Sequence, residues 1–331
     1  MPIGIQTRGS LGDIGTRGLG PQFEDVFDQN LIKFEGMDNV KRIISFVPTD
    51  KGVLRTTGVT GYSFLEEFTE GKALPKDRNQ LTFETVYSIR DLGKSITVTD
   101  NEAEDKERLG EKLDEMAGLT RMANITRARA AMQIFNGAFV TTAKVNGISL
   151  HRYNDERLCS TVHARADGGS TQSNASATGI TLTELNIETQ RLLLVKQLSD
   201  IGLPIVDMGK ITAVVPDDLE KDAVIFTQSQ LRASTANNDL NFYFGRIDVI
   251  VSRWLNAPNG GSATAWFLTT SNLMPEGNVL RVYERGGPRF KETFEGETWN
   301  KVFGVKDRYA VGHSEWKGLV GSLGDGASFS S

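Results

Sequence analysis

TDNEAEDKERLGEKLDEMAGLTRMANITRARAAMQI, residues 99–134, is the stretch that decides the fold class. Thr99-Asp100-Asn101-Glu102 has the pattern of a capping box, in which a threonine hydroxyl and a glutamate three residues on satisfy backbone N–H groups at a helix start. Behind it Leu109, Leu113, Met116, Ala123, Ala130 and Ile134 fall on one helical stripe, and Leu119, Met122 and Met132 on a second. The spacing predicts a helix of roughly 35 residues, against a mean of about 11–12 in globular proteins. Gly110 and Gly118 each lower helix propensity by about 1 kcal/mol and mark the expected kinks or breaks. With no sustained heptad seam, such a helix reads as a spine across which other layers pack.

Upstream the period changes to two. Leu81, Phe83, Thr85, Tyr87 and Ile89 alternate with Thr82, Glu84, Val86, Ser88 and Arg90, the signature of a strand with two unlike faces. Residues 53–65, rich in Thr, Val and Tyr, supply a partner, and a charged segment with Glu66, Glu67, Glu70, Gly71, Lys72 and Pro75 lies between. Together they predict a long two-stranded hairpin. A two-stranded ribbon is marginally stable in water, so a neighbouring domain or subunit is expected to cover it. Residues 1–20 hold six glycines and few large apolar groups, and are expected to form an extended arm that orders only against something else. Phe23, Val26, Phe27, Leu31 and Phe34 then follow at near-helical spacing.

Beyond residue 146 the pattern becomes α/β. Residues 167–176 form a loop rich in Gly, Ser and Asn. Thr181-Leu182-Thr183-Glu184 reads as a second capping box, opening a helix that closes at Gly202. Residues 211–215 read as a buried strand, and Pro216-Asp217-Asp218 as the start of a helix to about Thr227. Residues 247–254 and 265–269 read as strands joined through the Asn259–Gly261 turn, and residues 279–294 and 302–311 as antiparallel strands.

Chemistry has little to work with. The 331 residues include three histidines and one cysteine, which excludes an intrachain disulfide. Cys159 and His163, four apart, could meet as two metal ligands, but a closed site needs two more donors and only His151 is near. Ser160, His163 and Asp167 have the residue types of a hydrolytic triad without a nucleophile-elbow pattern. Gly15, Gly18 and Gly20 imitate a dinucleotide loop with no strand before them. The acidic residues at 100, 102, 104, 105 and 107 are what a helix dipole favours in a first turn. Net charge is −5, which does not provide the basic surface of a nonspecific nucleic-acid binder. No apolar run approaches the length of a membrane span.

The order of these elements resembles the Hong Kong 97-type capsid fold: an arm, a long hairpin, a very long helix, an α/β domain and late returning strands. Four stretches carry the resemblance. Phe64 to Gly71 with Leu74-Pro75-Lys76-Asp77 looks like the extended loop of phage capsid proteins. Leu158 to His163 with Gly168-Gly169 and Ser173-Asn174 is similar to a loop of the Mu-like head-subunit families, and Lys210 to Leu219 to their strand-then-helix signature. Asn237-Asn238, Asn241-Phe242 and Ala265 to Leu268 resemble the strands downstream.

The resemblance implies an α+β fold in four parts: an N-terminal arm (1–40), an extended β-hairpin with flanking strands (41–100), a peripheral domain (101–144 with 272–331) and an axial α/β domain (145–271). It implies a structural major capsid protein of the virion, made in the host cytoplasm, which assembles as pentamers and hexamers around double-stranded DNA without reading its sequence. Portal, a separate scaffolding protein and a decoration protein are the expected partners; no fused scaffold, cofactor, metal, membrane or enzymatic activity is expected. Inter-subunit contacts are expected at Phe23, Phe27, Phe64, Glu66, Glu67, Glu70, Leu81, Phe83, Tyr87 and Ile89. The alternatives are an encapsulin-like nanocompartment shell and an α/β metal-dependent or hydrolytic enzyme.

Overall fold

The computed structural model describes residues 19–32, 38–68, 70, 72–76, 81–105, 108–142, 144–205, 209–231, 240–271 and 279–328. The expected arm lies outside them up to residue 18. In chain order the elements are α1 (Leu19–Ile32), α2 (Asp38–Lys41), β1 (Ser45–Pro48), β2 (Val53–Val59), β3 (Leu81–Ser88), β4 (Arg90–Val98), α3 (Asp100–Glu104), α4 (Leu109–Asn136), β5 (Lys144–Val145) and β6 (Ile148–His151). There follow α5 (Glu184–Val195), β7 (Ile211–Val215), α6 (Glu220–Gln228), β8 (Ile247–Val251), β9 (Trp266–Thr270), β10 (Leu280–Glu284), β11 (Arg289–Phe294), β12 (Lys301–His313) and β13 (Leu319–Ser322). They group into two compact units, one from the described parts of 1–37, 90–128 and 284–309 and one from the rest.

The first unit is a helix pair on a three-stranded antiparallel sheet. The first six residues of β12 lie between β11 and β4, with Lys301 opposite both Phe294 and Val98. Strand alternation sends Phe303, Val305, Ile96, Val98 and Phe290 to one face, where they meet Leu109 and Met116 of α4. Leu19, Phe23 and Phe27, spaced at i, i+4, i+8 on α1, close the same core. Phe23 stacks on Phe303 with ring centroids 4.2 Å apart and planes 5° from parallel. Phe23 and Phe27 are therefore buried within their own chain, which corrects their assignment as inter-subunit contacts. Farther along, Arg127 donates from Nε and Nη2 to both carboxylate oxygens of Asp307, at 3.1 and 2.6 Å, and from Nη1 to Glu284 at 2.8 Å.

The spine differs from the expected single helix. The capping box at Thr99 forms in full, with Glu102 N–H donating to Thr99 Oγ1 and Thr99 N–H to Glu102 Oε2. It opens only the short α3. The break comes at Arg108, held at φ +56°, and α4 then runs unbroken for 28 residues through Gly110 and Gly118. Both glycines face open space, so neither a packing clash nor a missing bond bends the helix there.

The second unit holds a four-stranded sheet in the order β13-β9-β7-β8. The β7–α6–β8 segment is a parallel crossover, and β9 runs antiparallel on the other side of β7. The two strands read on either side of the Asn259–Gly261 turn are β8 and β9, and both pair with β7 and not with each other. That turn is tied down instead: the side-chain amides of Gln133 and Asn136 donate to Asn259 O. β13 pairs with β9, so the last strand joins this sheet. The helix cap is Thr183, not Thr181: its hydroxyl accepts from Asn186 N–H. Residues 279–294 make two strands because Gly286 and Gly287, both at positive φ, turn the chain. Leu182, Ile187, Ala213, Val215, Trp266 and Leu268 lie in the core, and Trp266 Nε1–H finds Ile180 O at 2.9 Å.

Because Phe23 and Phe303 stack with no exposed area, Phe303→Ala removes a ring from both the sheet and α1. It is expected to cost about 3–5 kcal/mol, read as a lower melting temperature of the unassembled subunit. A melting temperature that falls only where subunits associate would show that α1 packs on another copy instead.

Candidate assembly surfaces

The residues with the most chemical promise are closed off. Cys159 is fully buried, and burial pushes its thiol far above the usual range, the opposite of a reactive thiolate. Its Sγ packs so tightly on Gly321 that an added Cβ there would come within 2.8 Å. His163 does not face Ser160 or Asp167. Its Nε2 donates to Asn174 Oδ1 at 3.0 Å, its Nδ1 lies 3.1 Å from Glu156 Oε2, and its ring stacks on Trp316 at 4.3 Å. Asn174 is fixed in turn, accepting Ser160 N–H at 2.8 Å and donating to Leu158 O at 2.8 Å. The Ser160 hydroxyl accepts from Val162 N–H, and Asp167 accepts from Gly169 N–H and pairs with Arg165. The four residues are structural parts of one loop. Among the described residues no group of three or more His, Cys, Asp or Glu side chains is placed to hold a metal ion, and no helix is long and apolar enough to cross a membrane.

The β2–β3 ribbon is covered at its base by its own unit. β2 and β3 pair antiparallel from Val53–Ser88 to Thr57–Glu84, with a shift before Val59. Tyr87 is fully buried, edge-on to Tyr283 at 4.8 Å, and its hydroxyl bonds Ser314 at 2.8 Å. Phe83 meets Tyr153 edge-on at 5.6 Å, Ile89 packs beside Tyr87 and Tyr283, and Thr56 bonds the Tyr283 hydroxyl. Tyr87 is thus packed within its own chain, while Phe83 and Ile89 are half-buried there. Leu81 stays 73% exposed.

The cover ends where the loop begins. Phe64 is 75% exposed, Leu65 wholly so and Phe68 53%, with Glu66, Glu67 and Glu70 exposed among them. The first unit leaves a second surface open. Arg289, Lys291, Lys306 and Arg308 alternate with core residues and so lie on the sheet face turned from α1 and α4. With Arg285 they line a recess of about 200 Å³. Sequence reasoning passed over this cluster because its members come from two separate stretches that only the β11–β12 pairing brings together.

Beside the His163 network, burial with Arg152 and His163 nearby holds the His313 pKa down to about 3. An unfolded chain takes up that proton near 6.5 and the folded one only near 3, so folding loses stability as pH falls from about 6.5. His313→Asn is expected to flatten the dependence of the unfolding midpoint on pH between about 6.5 and 3. An unchanged slope in denaturant titrations across that range would remove His313 from the explanation.

The profile of one protein family, described as phage capsid protein, matches residues 82–322. No curated protein sequence matches the chain. Among solved structures, a chain of Mycobacterium phage Patience is similar at 14% identity and a TM-score of 0.54, with 100% of this chain and 96% of that one covered. The capsid of an empty GTA particle is similar at 12% identity and a TM-score of 0.52, covering 87% and 89%. The mature capsid of bacteriophage PhiM1 follows at 10% identity and a TM-score of 0.50, covering 85% of each chain. These likenesses show a shared Hong Kong 97-type architecture, and the family profile spans both the spine helix and the α/β sheet. The chain belongs to the phage capsid protein family and is a structural major capsid protein of a phage head.

Proposed function

We propose that copies of this subunit assemble as pentamers and hexamers of a closed icosahedral shell around double-stranded DNA, and that the loop at 60–76 is the segment each copy lends to a neighbour. The carrying observation is the exposure of Phe64, Leu65 and Phe68 at the end of a ribbon whose base packs one face on its own unit. Burying side chains of this size is worth about 1.5–3 kcal/mol each, so a loop that holds three of them in water is built for a partner. Glu66, Glu67 and Glu70 keep it soluble until that partner arrives. Leu81, next to the loop, joins the same contact.

Many modest contacts repeated around a closed surface add through multivalency, so no single one has to be tight. The subunit works in this reading by shape and adhesion, without catalysis or cofactor. The shell is synthesised in the host cytoplasm and would also meet a portal, a separate scaffolding protein and possible decoration proteins. The match to a phage capsid family favours a head over a nanocompartment shell.

Replacing 66–75 with a short Gly-Ser turn tests the loop. The base of the ribbon keeps Tyr87, Phe83 and Thr56, so circular dichroism and melting of the free subunit should change little. Closed particles should fail to form, or fall apart at lower temperature. Normal particles from that variant would remove the loop from assembly.

A further inference from the structure

Lysine is almost never fully buried without a partner, and Lys317 is the one buried lysine among the described residues. Its amine lies 3.0 Å from Asp200 Oδ2 and 3.0 Å from Glu315 Oε2. The side chains of Lys317 and Asp200 are 8% and 9% exposed, that of Glu315 25%. Asp200 alone neutralises the amine, so an ion pair has no need of the second carboxylate, and two charges taken out of water are costly even when they meet. Both partners are also held from behind. Asp200 sits in a turn closed by bonds between Ser199 and Leu203 and from Gly202 N–H to Ser199 O. Lys317 sits between β12 and β13, where Gly318 N–H donates to Gln197 Oε1 at 2.7 Å and Gln197 Nε2 donates to Leu319 O at 3.0 Å. Gln197 stands three residues before Asp200, so one side chain fixes the two stretches against each other. The second oxygen of Glu315 accepts Trp316 N–H at 3.0 Å, and the Trp316 ring centre is 5.3 Å from the amine. An amine and a carboxyl group fixed in contact react as if each were at very high concentration. Beside them opens a recess of about 360 Å³, lined also by the hydroxyl residues Thr60, Ser199 and Ser314.

We propose that Lys317 and Asp200 condense to an amide within the chain, with Glu315 carrying the proton. Lys317 first gives one proton of its ammonium group to the Asp200 carboxylate. The neutral amine then attacks Asp200 Cγ, and a C–N bond forms as one C–O bond of the acid breaks. Glu315 takes a second proton from the nitrogen and delivers it to the departing hydroxyl, which leaves as water into the recess. The nitrogen keeps its third proton, Glu315 ends as the carboxylate it was, and two buried charges are gone. No oxidant, metal or second chain is needed, and each subunit reacts once. The amide joins positions 117 residues apart and encloses β7 to β12 in one covalent loop. Such a closure stabilises the fold by restricting the unfolded chain.

Intact-mass measurement of the full chain under denaturing conditions tests this. The expected mass is one water below that of the sequence, with the peptides that contain Asp200 and Lys317 joined after trypsin digestion. Lys317→Arg keeps the charge and Asp200→Ala removes the carbon that is attacked, so both should return the chain to its sequence mass. Asp200→Asn should lose ammonia in place of water, which marks that side chain as the reacting carbonyl. Glu315→Gln should keep the fold by circular dichroism and link about a hundredfold more slowly, or not at all. A link formed at the wild-type rate in that variant would overturn the role given to Glu315. The wild-type chain decides the main question, so the test does not depend on any variant folding. A folded wild-type chain at its full sequence mass would overturn the proposal and leave Lys317 in an ion pair only. A missing water without the joined peptides would overturn it equally, since the dehydration would then lie at a single residue.

Discussion

A β-sheet has two faces, and in the first unit the chain covers one of them. Everything on the covered side follows from that choice. Phe303 and Val305 need a lid, so α4 turns Leu109 and Met116 toward them and α1 adds Phe23 and Phe27. Asp307 on the same side cannot stay a bare carboxylate once buried, and the Arg127 guanidinium meets it with two bonds. The uncovered side is free of large apolar residues over most of its length and carries its charge in one cluster.

The second unit solves the same problem inwardly. β9 is buried along its whole length, between β7 and β13, and its sheet is packed by α5 and α6. The loop at 158–174 earns its rigidity through polar bonds: Asn174 bridges backbone groups at 158 and 160 and also accepts from His163. An amide and an imidazole with every nitrogen engaged make a good brace and a poor active site.

Periodicity was legible in the sequence wherever one surface of an element meets a core. The 83-85-87-89 face of β3 and the Leu109–Met116 stripe of α4 are in the structure as the residues suggest. What covers a face was not legible, because the partner comes from far along the chain: Tyr87 finds Ser314 across 227 residues. The same gap hid the real packing of Phe23 and Phe27. The helix break at Arg108 was missed for a different reason, since a positive φ at a long basic residue leaves no signature of the kind a glycine would. The turn before β9 was visible, but not that β7 would take both neighbouring strands. The loop could be read from one stretch, whereas the basic face needed β11 and β12 to be aligned first.

The single cysteine has a consequence for the particle. Cys159 lies under Gly321 and Phe267 with no surface exposed, so its sulfur cannot reach another chain without unfolding the loop that holds it. A shell made from such subunits meets a change from reducing to oxidising surroundings without gaining or losing bonds at this residue. For this thiol such a change is a chemically silent event, and the strength of a particle owes nothing to it.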